Sequence, residues 1–152
     1  MNDAWRVGRP YFLLLAVFAV GRWLMGAFGV PYERGQHVFS IVILTYLSAL
    51  YYGAFLRRWQ GYRITQVVGV VAMFGVVSQL VILLATLLSY ALGLETYFTN
   101  PRALNSPVRL GFAAAMGNRL SGVVFNTAVT AIAGALGWSL GGLLPAERPP
   151  KH

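Results

Sequence analysis

Apolar residues occupy this chain in long uninterrupted blocks. The longest block, residues 64–94, contains no charged side chain and consists largely of Val, Leu, Ile, Ala, Met and Phe. Because ~20 apolar residues in a helix suffice to cross the hydrocarbon core of a bilayer, this block predicts a transmembrane helix. It exceeds the required length, so we expect the helix to tilt, kink or protrude.

Three further apolar blocks follow the same pattern. We therefore predict an all-α, polytopic membrane protein whose single domain, residues 1–152, is a bundle of four transmembrane helices. The block after Arg6 and Arg9 also fits a signal peptide, but its length of ~20 residues favours a retained helix. The predicted spans are 10–30, 37–56, 64–94 and 118–144, with a polar loop at 95–117 and a loose tail at 145–152.

The polar loop before the fourth span contains a helix-start signal. Ser106 is a favourable N-cap, and Pro107 suits the first position of a helix. The apolar residues 108–116 behind them predict a short interfacial helix in this third loop. The alternative is that the same residues run directly into the fourth span with a bend at Gly117.

Composition supports the membrane assignment and argues against several other classes. Hydrophobic residues make up 57% of the chain and charged residues only 11%, against a usual charged share of ~25%. The net charge of +8 is spread between the apolar runs rather than along one face, so we expect no nucleic-acid partner. The chain has no cysteine, which excludes disulfides and thiolate metal sites.

The basic residues also predict an orientation. Cytoplasmic ends of membrane helices carry an excess of Arg and Lys. Here the N-terminus, the second loop and the tail hold seven such residues, against four in the first and third loops and the start of the fourth span. We therefore expect both termini in the cytoplasm. All but one of the basic residues are Arg, which is associated with GC-rich bacterial genomes and favours a bacterial inner membrane.

Polar side chains inside lipid normally face protein, and the helical repeat places one polar or small face on each predicted span. Counted along the helices, Arg22 and three other polar residues reach a similar depth in the outer half of the bilayer. Arg stays charged and offers a planar fork of donors to an anion. The sequence thus predicts an outward-facing site for an anionic or polar ligand, lined by Arg22, Thr45, Gln79, Thr86 and Asn126.

A second interpretation of these polar residues stays open. Arg22 would then pair with Glu33 or Glu95 or reach the interface, and the Asn and Thr groups would only hold helices together. Further polar residues expected near the outer face are Glu33, His37, Asn118 and Arg119. Close helix packing is predicted at Gly26, Gly29, Gly75, Gly137 and Gly141, of which the last two form a G-x-x-x-G motif.

The predicted function is that of a small transport- or channel-like membrane protein; the alternative is a non-catalytic accessory or structural subunit of a membrane complex. We expect no enzyme activity, since no nucleophile and base stand in register, and no cofactor. Glu33 and His37 are four residues apart, but a third metal ligand is missing, so no metal site is expected. Because one subunit has little room for a pore, the expected partners are the lipid bilayer and a homo-oligomer or larger membrane complex.

Overall fold

The computed structural model describes residues 2–145, with side chains from residue 6 onwards, and every regular element in this part is helical. The predicted tail at 145–152 lies outside the described residues except for Pro145. The elements are α1 (Asn2–Ala27), the one-turn helix α2 (Tyr32–Gly35), α3 (Ile41–Gln60), α4 (Ile64–Ala91), a 3₁₀ turn (Pro101–Leu104) and α5 (Phe112–Gly141).

Three of the helices are long and apolar enough to cross a membrane: the segment Arg6–Ala27 of α1, all of α4 and all of α5. The predicted all-helical fold is confirmed for the described residues, and the prediction of membrane-spanning helices is supported for three of the four predicted spans. The predicted span 37–56 corresponds to α3, which is not one of the three. Its 20 residues include Arg57, Arg58 and three tyrosines, so it is more polar than its neighbours.

The third loop differs from the predicted one. Residues 108–111 are not helical, and residues 112–116 form the first turns of a continuous α5 rather than a separate interfacial helix. The reason is local: the Ser106 hydroxyl donates to the Val108 carbonyl at 2.7 Å and closes a turn instead of capping a helix. Gly111 takes the N-cap position of α5. The helix therefore begins before residue 118, where the fourth span was expected.

Small residues bring α3 and α5 into close contact. A Cβ added to Gly137 would lie 2.2 Å from the backbone oxygen of Leu50, and one added to Gly53 would lie 2.3 Å from the oxygen of Gly134. Helices in lipid associate through packing of this kind, because lipid tails are as apolar as the side chains. The G-x-x-x-G motif of α5 thus serves a contact within one chain.

Aromatic side chains hold α1 against α3 and α4. The ring of Tyr11 stacks on the ring of Phe74 with centroids 4.3 Å apart, and its hydroxyl forms a hydrogen bond with Thr45 Oγ1 at 2.9 Å. Phe12 meets Phe74 edge-on at 5.6 Å between centroids. The contact between α1 and α3 is much smaller than the contact between α5 and α3. A groove therefore lies between α1 and α3.

The connections between helices lie at two opposite ends of the bundle. At one end, the Tyr97 hydroxyl donates to the Pro31 carbonyl at 3.1 Å and joins two connections. At the other end, the Trp138 Nε1 donates to the Tyr62 carbonyl at 3.0 Å. We call these the loop end, formed by residues 28–40 and 92–111, and the termini end, formed by the start of α1, the last turn of α3 with the connection after it (residues 57–63) and residues 142–145.

Between the two ends, the outer surface carries large apolar side chains from every long helix. Buried positions of the same helices form the core around Tyr11 and Phe74. An exterior that is apolar at mid-height is what a hydrocarbon environment requires. The exposed residues include Leu13, Leu47, Leu84, Val124 and Ile132.

Candidate functional site

Arg119 lies about two turns inside α5 and points towards the loop end. Its guanidinium donates three hydrogen bonds: Nε to Thr86 Oγ1 at 3.1 Å, Nη1 to the Ala103 carbonyl at 3.3 Å, and Nη2 to the Phe98 carbonyl at 2.7 Å. Loop 92–111 supplies two of the acceptors and α4 supplies the third. All three acceptors are neutral, so the charge of Arg119 is held in place without being neutralised.

Loop 92–111 can hold Arg119 because part of it folds into the bundle. Its residues 96–99 are all buried. Thr96 Oγ1 is 2.8 Å from Ser89 Oγ, which ties the loop to α4. Burial raises the pKa of the Tyr97 hydroxyl, and this hydroxyl donates to the Pro31 carbonyl in the connection after α1. These contacts fix the direction of the Phe98 carbonyl that Arg119 uses.

Arg22 reaches the same region from α1. Its Nη1 donates to the Gln36 carbonyl at 3.1 Å and lies 3.4 Å from the Val38 carbonyl. The guanidinium carbon is 5.9 Å from the ring centroid of Tyr32 and 5.4 Å from that of Tyr97, within the range of cation–π attraction. Carbonyls and aromatic rings therefore orient Arg22 without neutralising it.

Both guanidinium groups face one cavity of about 220 Å³ at the loop end, which we call the arginine cavity. Within the described residues, its wall includes no Asp or Glu. Two positive charges in a concave site with low-dielectric walls attract anions. Other lining side chains are Tyr32, Gln36, His37, Ser40 and Tyr97.

The two described carboxylates of the loop end pair with other arginines. Glu33 Oε1 is 2.8 Å from Arg102 Nη1, and Glu95 pairs with Arg109. All four side chains are more than half exposed. The interpretation in which Arg22 pairs with Glu33 or Glu95 is therefore not what the structure shows. The acids of this end compensate surface arginines and not the arginine cavity.

A second cavity of about 390 Å³ adjoins the first, and Arg119 lies in the wall of both. Asn126 and Gln79 line it, with Asn126 Nδ2 3.4 Å from Gln79 Oε1. The Tyr46 hydroxyl donates to Asn126 Oδ1 at 2.7 Å. Asn118 also lines this cavity and donates to a loop carbonyl at 3.0 Å. The second cavity is thus lined by amides and carries Arg119 as its one described charge.

The structure divides the five predicted ligand-binding residues among separate places. Arg22 lines the arginine cavity, and Gln79 and Asn126 line the second cavity. Thr86 lines neither, but it accepts the hydrogen bond that positions the α5 guanidinium. Thr45 is buried against α1 and donates to a carbonyl of its own helix at 2.7 Å. Two predicted residues therefore support the helices rather than a cavity.

The four residues predicted near the outer face all lie at or near the loop end. His37 and Arg119 line the arginine cavity, Asn118 lines the second cavity, and Glu33 lies in the exposed ion pair. In the part of the chain that the structure describes, no three His, Asp or Glu side chains form a group able to hold a metal ion. His37 lines the arginine cavity together with Arg22 and Arg119.

Of the predicted packing glycines, four lie in close contact with another segment and one turns the chain. Gly137 and Gly141 approach backbone oxygens of α3, and Gly75 approaches a Cα of α5 at 3.0 Å from its built Cβ. Gly26 would place a Cβ 2.4 Å from a backbone nitrogen of loop 92–111. Gly29 has φ +74° and nothing within 4 Å, so its role is to turn the chain after α1.

Sequence reasoning missed the central position of Arg119 and the contribution of the loop backbone. With the fourth span expected to begin at residue 118, Arg119 counted as a terminal charge at the membrane surface. The uncharged run 110–118 before it was the available signal that the helix begins earlier. Nothing in the sequence marks the carbonyls of Phe98 and Ala103 as its acceptors.

These features define the class of the molecule: an all-helical protein with three helices able to cross a membrane and a cavity at one end that holds two arginines. No protein-family model, curated protein or solved structure matches this chain.

Proposed function

We propose that this chain is a non-enzymatic, four-span protein of a bacterial inner membrane that binds a small anionic ligand at the arginine cavity and takes part in its transport. The observation that carries the proposal is the placement of Arg22 and Arg119 on one cavity whose described wall has no carboxylate. An anion from outside the protein would supply the missing negative charge.

The fourth span in this proposal is α3. Its 20 residues correspond to ~30 Å of helix, which matches the hydrocarbon core. Its two arginines stand in its last turn rather than at its centre, where they can lie among headgroups. Arg57 Nη1 donates to the Trp138 carbonyl at 2.9 Å, so this end of α3 is tied to the end of α5.

The distribution of charge favours an orientation with both termini in the cytoplasm. Five arginines lie at the described termini end, where excess positive charge is expected on the cytoplasmic side. Two of the three arginines on loop-end surface positions pair with acids. With this orientation the arginine cavity opens to the outside. The termini-end arginines are Arg6, Arg9, Arg57, Arg58 and Arg63.

The geometry suits a small oxyanion or carboxylate. A guanidinium has five N–H donors, and Arg119 uses three of them in the contacts described above. The volume of about 220 Å³ lies below the ~300–1,000 Å³ of sites for drug-sized ligands. A planar fork of donors recognises two oxygens of one anion at once.

The adjoining second cavity supports transport rather than storage. Arg119 borders both cavities, and the amides of Gln79 and Asn126 offer polar groups further along. Assembly with further copies, or with another membrane protein, would supply walls that one chain of this size lacks. We therefore propose a homo-oligomer or a larger membrane complex as the working form.

A second candidate function is a non-catalytic subunit whose polar residues specify packing. It is favoured by the hydrogen bonds between helices that engage Thr45, Thr86 and Asn126. Such interhelical bonds contribute ~0.6 kcal/mol each on average. On this alternative, Arg22→Gln leaves assembly and partner function intact, whereas enlarging Gly137 disrupts both.

Calorimetric titration of the detergent-purified protein with phosphate, sulfate, acetate and chloride tests the proposal. We expect at least one of these anions to bind, and Arg22→Gln or Arg119→Gln to weaken it by about tenfold or more, since charge-assisted hydrogen bonds are worth ~1.5–3 kcal/mol. The matched control is Arg34→Gln, which removes an exposed loop-end arginine outside the cavity wall.

Proteoliposomes to which the anion that binds is added from outside then separate the two candidate functions. The transport proposal predicts uptake that both cavity variants abolish and the control variant retains. Absence of binding by the unmodified protein, or equal binding by all three variants, contradicts the proposal. Binding without uptake favours the accessory subunit.

A further inference from the structure

The groove between α1 and α3 contains two connected cavities away from the arginine cavity. One, of about 490 Å³, lies at the termini end. The other, of about 420 Å³, continues towards the loop end. Three residues line both cavities, so the two form one groove. The shared residues are Pro10, Tyr51 and Tyr52.

The chemistry of the groove changes along its length. Its termini-end part is lined by the Arg6 guanidinium, the Gln60 amide and the Tyr62 ring. Its deeper part is lined mainly by apolar side chains, including Leu14 and Leu47. A charged and hydrogen-bonding end followed by an apolar channel matches an amphiphile with a polar head and a hydrocarbon chain.

Arg6 differs from Arg57 and Arg58, two other arginines of the termini end. Arg57 donates to carbonyls of α5, and Arg58 Nε donates to the Pro145 carbonyl at 2.9 Å. Among the described residues, Arg6 forms no ion pair or hydrogen bond. Its positive charge is thus available to a ligand at the polar end of the groove, and an anionic group complements it.

The termini-end part of the groove is about as long as one leaflet of a bilayer is deep. From Gln60 to Tyr51, both of which line this part, α3 rises ~13.5 Å. Half of a hydrocarbon core of ~30 Å is ~15 Å. The tyrosines where the two cavities join therefore lie near mid-membrane, and the deeper part continues into the loop-end half of the bilayer, where Phe18 contacts Phe39.

We propose that this groove binds an anionic phospholipid of the leaflet at the termini end. The phosphate group lies against Arg6 with Gln60 and Tyr62 beside it, and one acyl chain follows the groove to Tyr51 and Tyr52 and ends beside Leu14. This site is separate from the arginine cavity, which lies at the opposite end, and the proposal does not depend on what that cavity binds.

Native mass spectrometry of the delipidated full chain, titrated with phosphatidylglycerol or phosphatidylcholine of identical acyl chains, tests the headgroup contact. We expect the anionic lipid to bind about fivefold more tightly, since one arginine near a membrane surface contributes on that order. Arg6→Gln should remove this preference. Arg9→Gln is the matched control, an exposed arginine one turn along α1 that does not line the groove.

A second pair of variants tests the chain contact. Leu14→Trp fills the groove and should weaken both lipids to a similar extent, about fivefold. Leu13→Trp, whose exposed position points elsewhere on α1, should leave both affinities unchanged. Thermal melting of each variant checks that the fold is intact.

Three results overturn the lipid site. Equal loss of preference in Arg6→Gln and Arg9→Gln would show diffuse surface attraction. Unchanged affinities in Leu14→Trp would show that no chain occupies the groove. A dimer of the unmodified protein that Leu14→Trp dissociates would show that a second copy fills the groove instead of a lipid.

Discussion

Charge pairing decides the character of the site at the scale of single residues. Glu33 and Glu95 pair with exposed arginines, where an ion pair contributes little to stability. Arg22 and Arg119 contact only neutral groups: their guanidinium groups donate to carbonyls and a hydroxyl, and Arg22 also lies near aromatic rings. The protein therefore keeps two uncompensated cations on one cavity, which an anion would stabilise.

Thr86 is predicted to act through Arg119. Thr86→Val removes the acceptor of the Nε hydrogen bond while preserving side-chain shape. We expect the free energy of unfolding in mixed micelles to fall by about 1–2 kcal/mol, since a buried charged donor loses its partner. Anion affinity should fall as well, because the guanidinium is no longer held.

The control for this change is Thr65→Val in the first turn of α4, where the side chain is exposed. We expect it to change stability by no more than ~0.5 kcal/mol. Equal effects of the two substitutions would show that the hydrogen bond to Arg119 has no particular role.

The sequence predicts part of this residue-scale picture. A lone arginine inside an apolar block is visible without a structure, so Arg22 could be singled out. The acceptors of Arg119 could not, because backbone carbonyls of a distant loop carry no sequence signature. The depth of Thr45 along its helix agreed with a place in the site, but its side chain does not point into a cavity. Its hydroxyl donates to a carbonyl of its own helix.

The α3–α5 contact organises the bundle at the scale of secondary-structure elements. Backbone atoms approach so closely at Gly137 that even a methyl group does not fit. We expect Gly137→Ala to lower the melting temperature clearly and to cost about 2 kcal/mol or more, because the Leu50 carbonyl cannot move away cheaply.

Gly69→Ala is the matched control, since Gly69 also lies inside a helix but has nothing within 4 Å of its built Cβ. Alanine there should stabilise the helix by about 0.5–1 kcal/mol or leave it unchanged. A tolerated Gly137→Ala would show that α3 and α5 are not in the contact described.

Element boundaries followed from the sequence where a local stop signal was strong. α4 was predicted at 64–94 and ends at Ala91, and Gly93 with φ +65° turns the chain beyond it. α5 was placed too late, because Ser106 and Pro107 give a stronger start signal than the Gly111 that occupies the N-cap. In the structure the Ser106 hydroxyl donates to the Val108 carbonyl within the loop, so it does not cap a helix.

The number of crossings is the open prediction at the scale of the whole molecule. Because the chain has no cysteine, single cysteines report on topology directly. With α3 crossing the membrane, a membrane-impermeant maleimide should label Arg34→Cys and Pro107→Cys from outside intact cells, but not Gln60→Cys. Labelling of Arg34→Cys and Gln60→Cys from the same side would mean that α3 does not cross.

The most direct measurement of the central claim is a crystal structure of the protein grown with bromide or selenate and recorded at the anomalous edge of Br or Se. The account predicts an anomalous peak in the arginine cavity, within hydrogen-bond distance of the guanidinium groups of Arg22 and Arg119. A cavity without such a peak at saturating anion, or a carboxylate of the protein occupying it, would contradict the account.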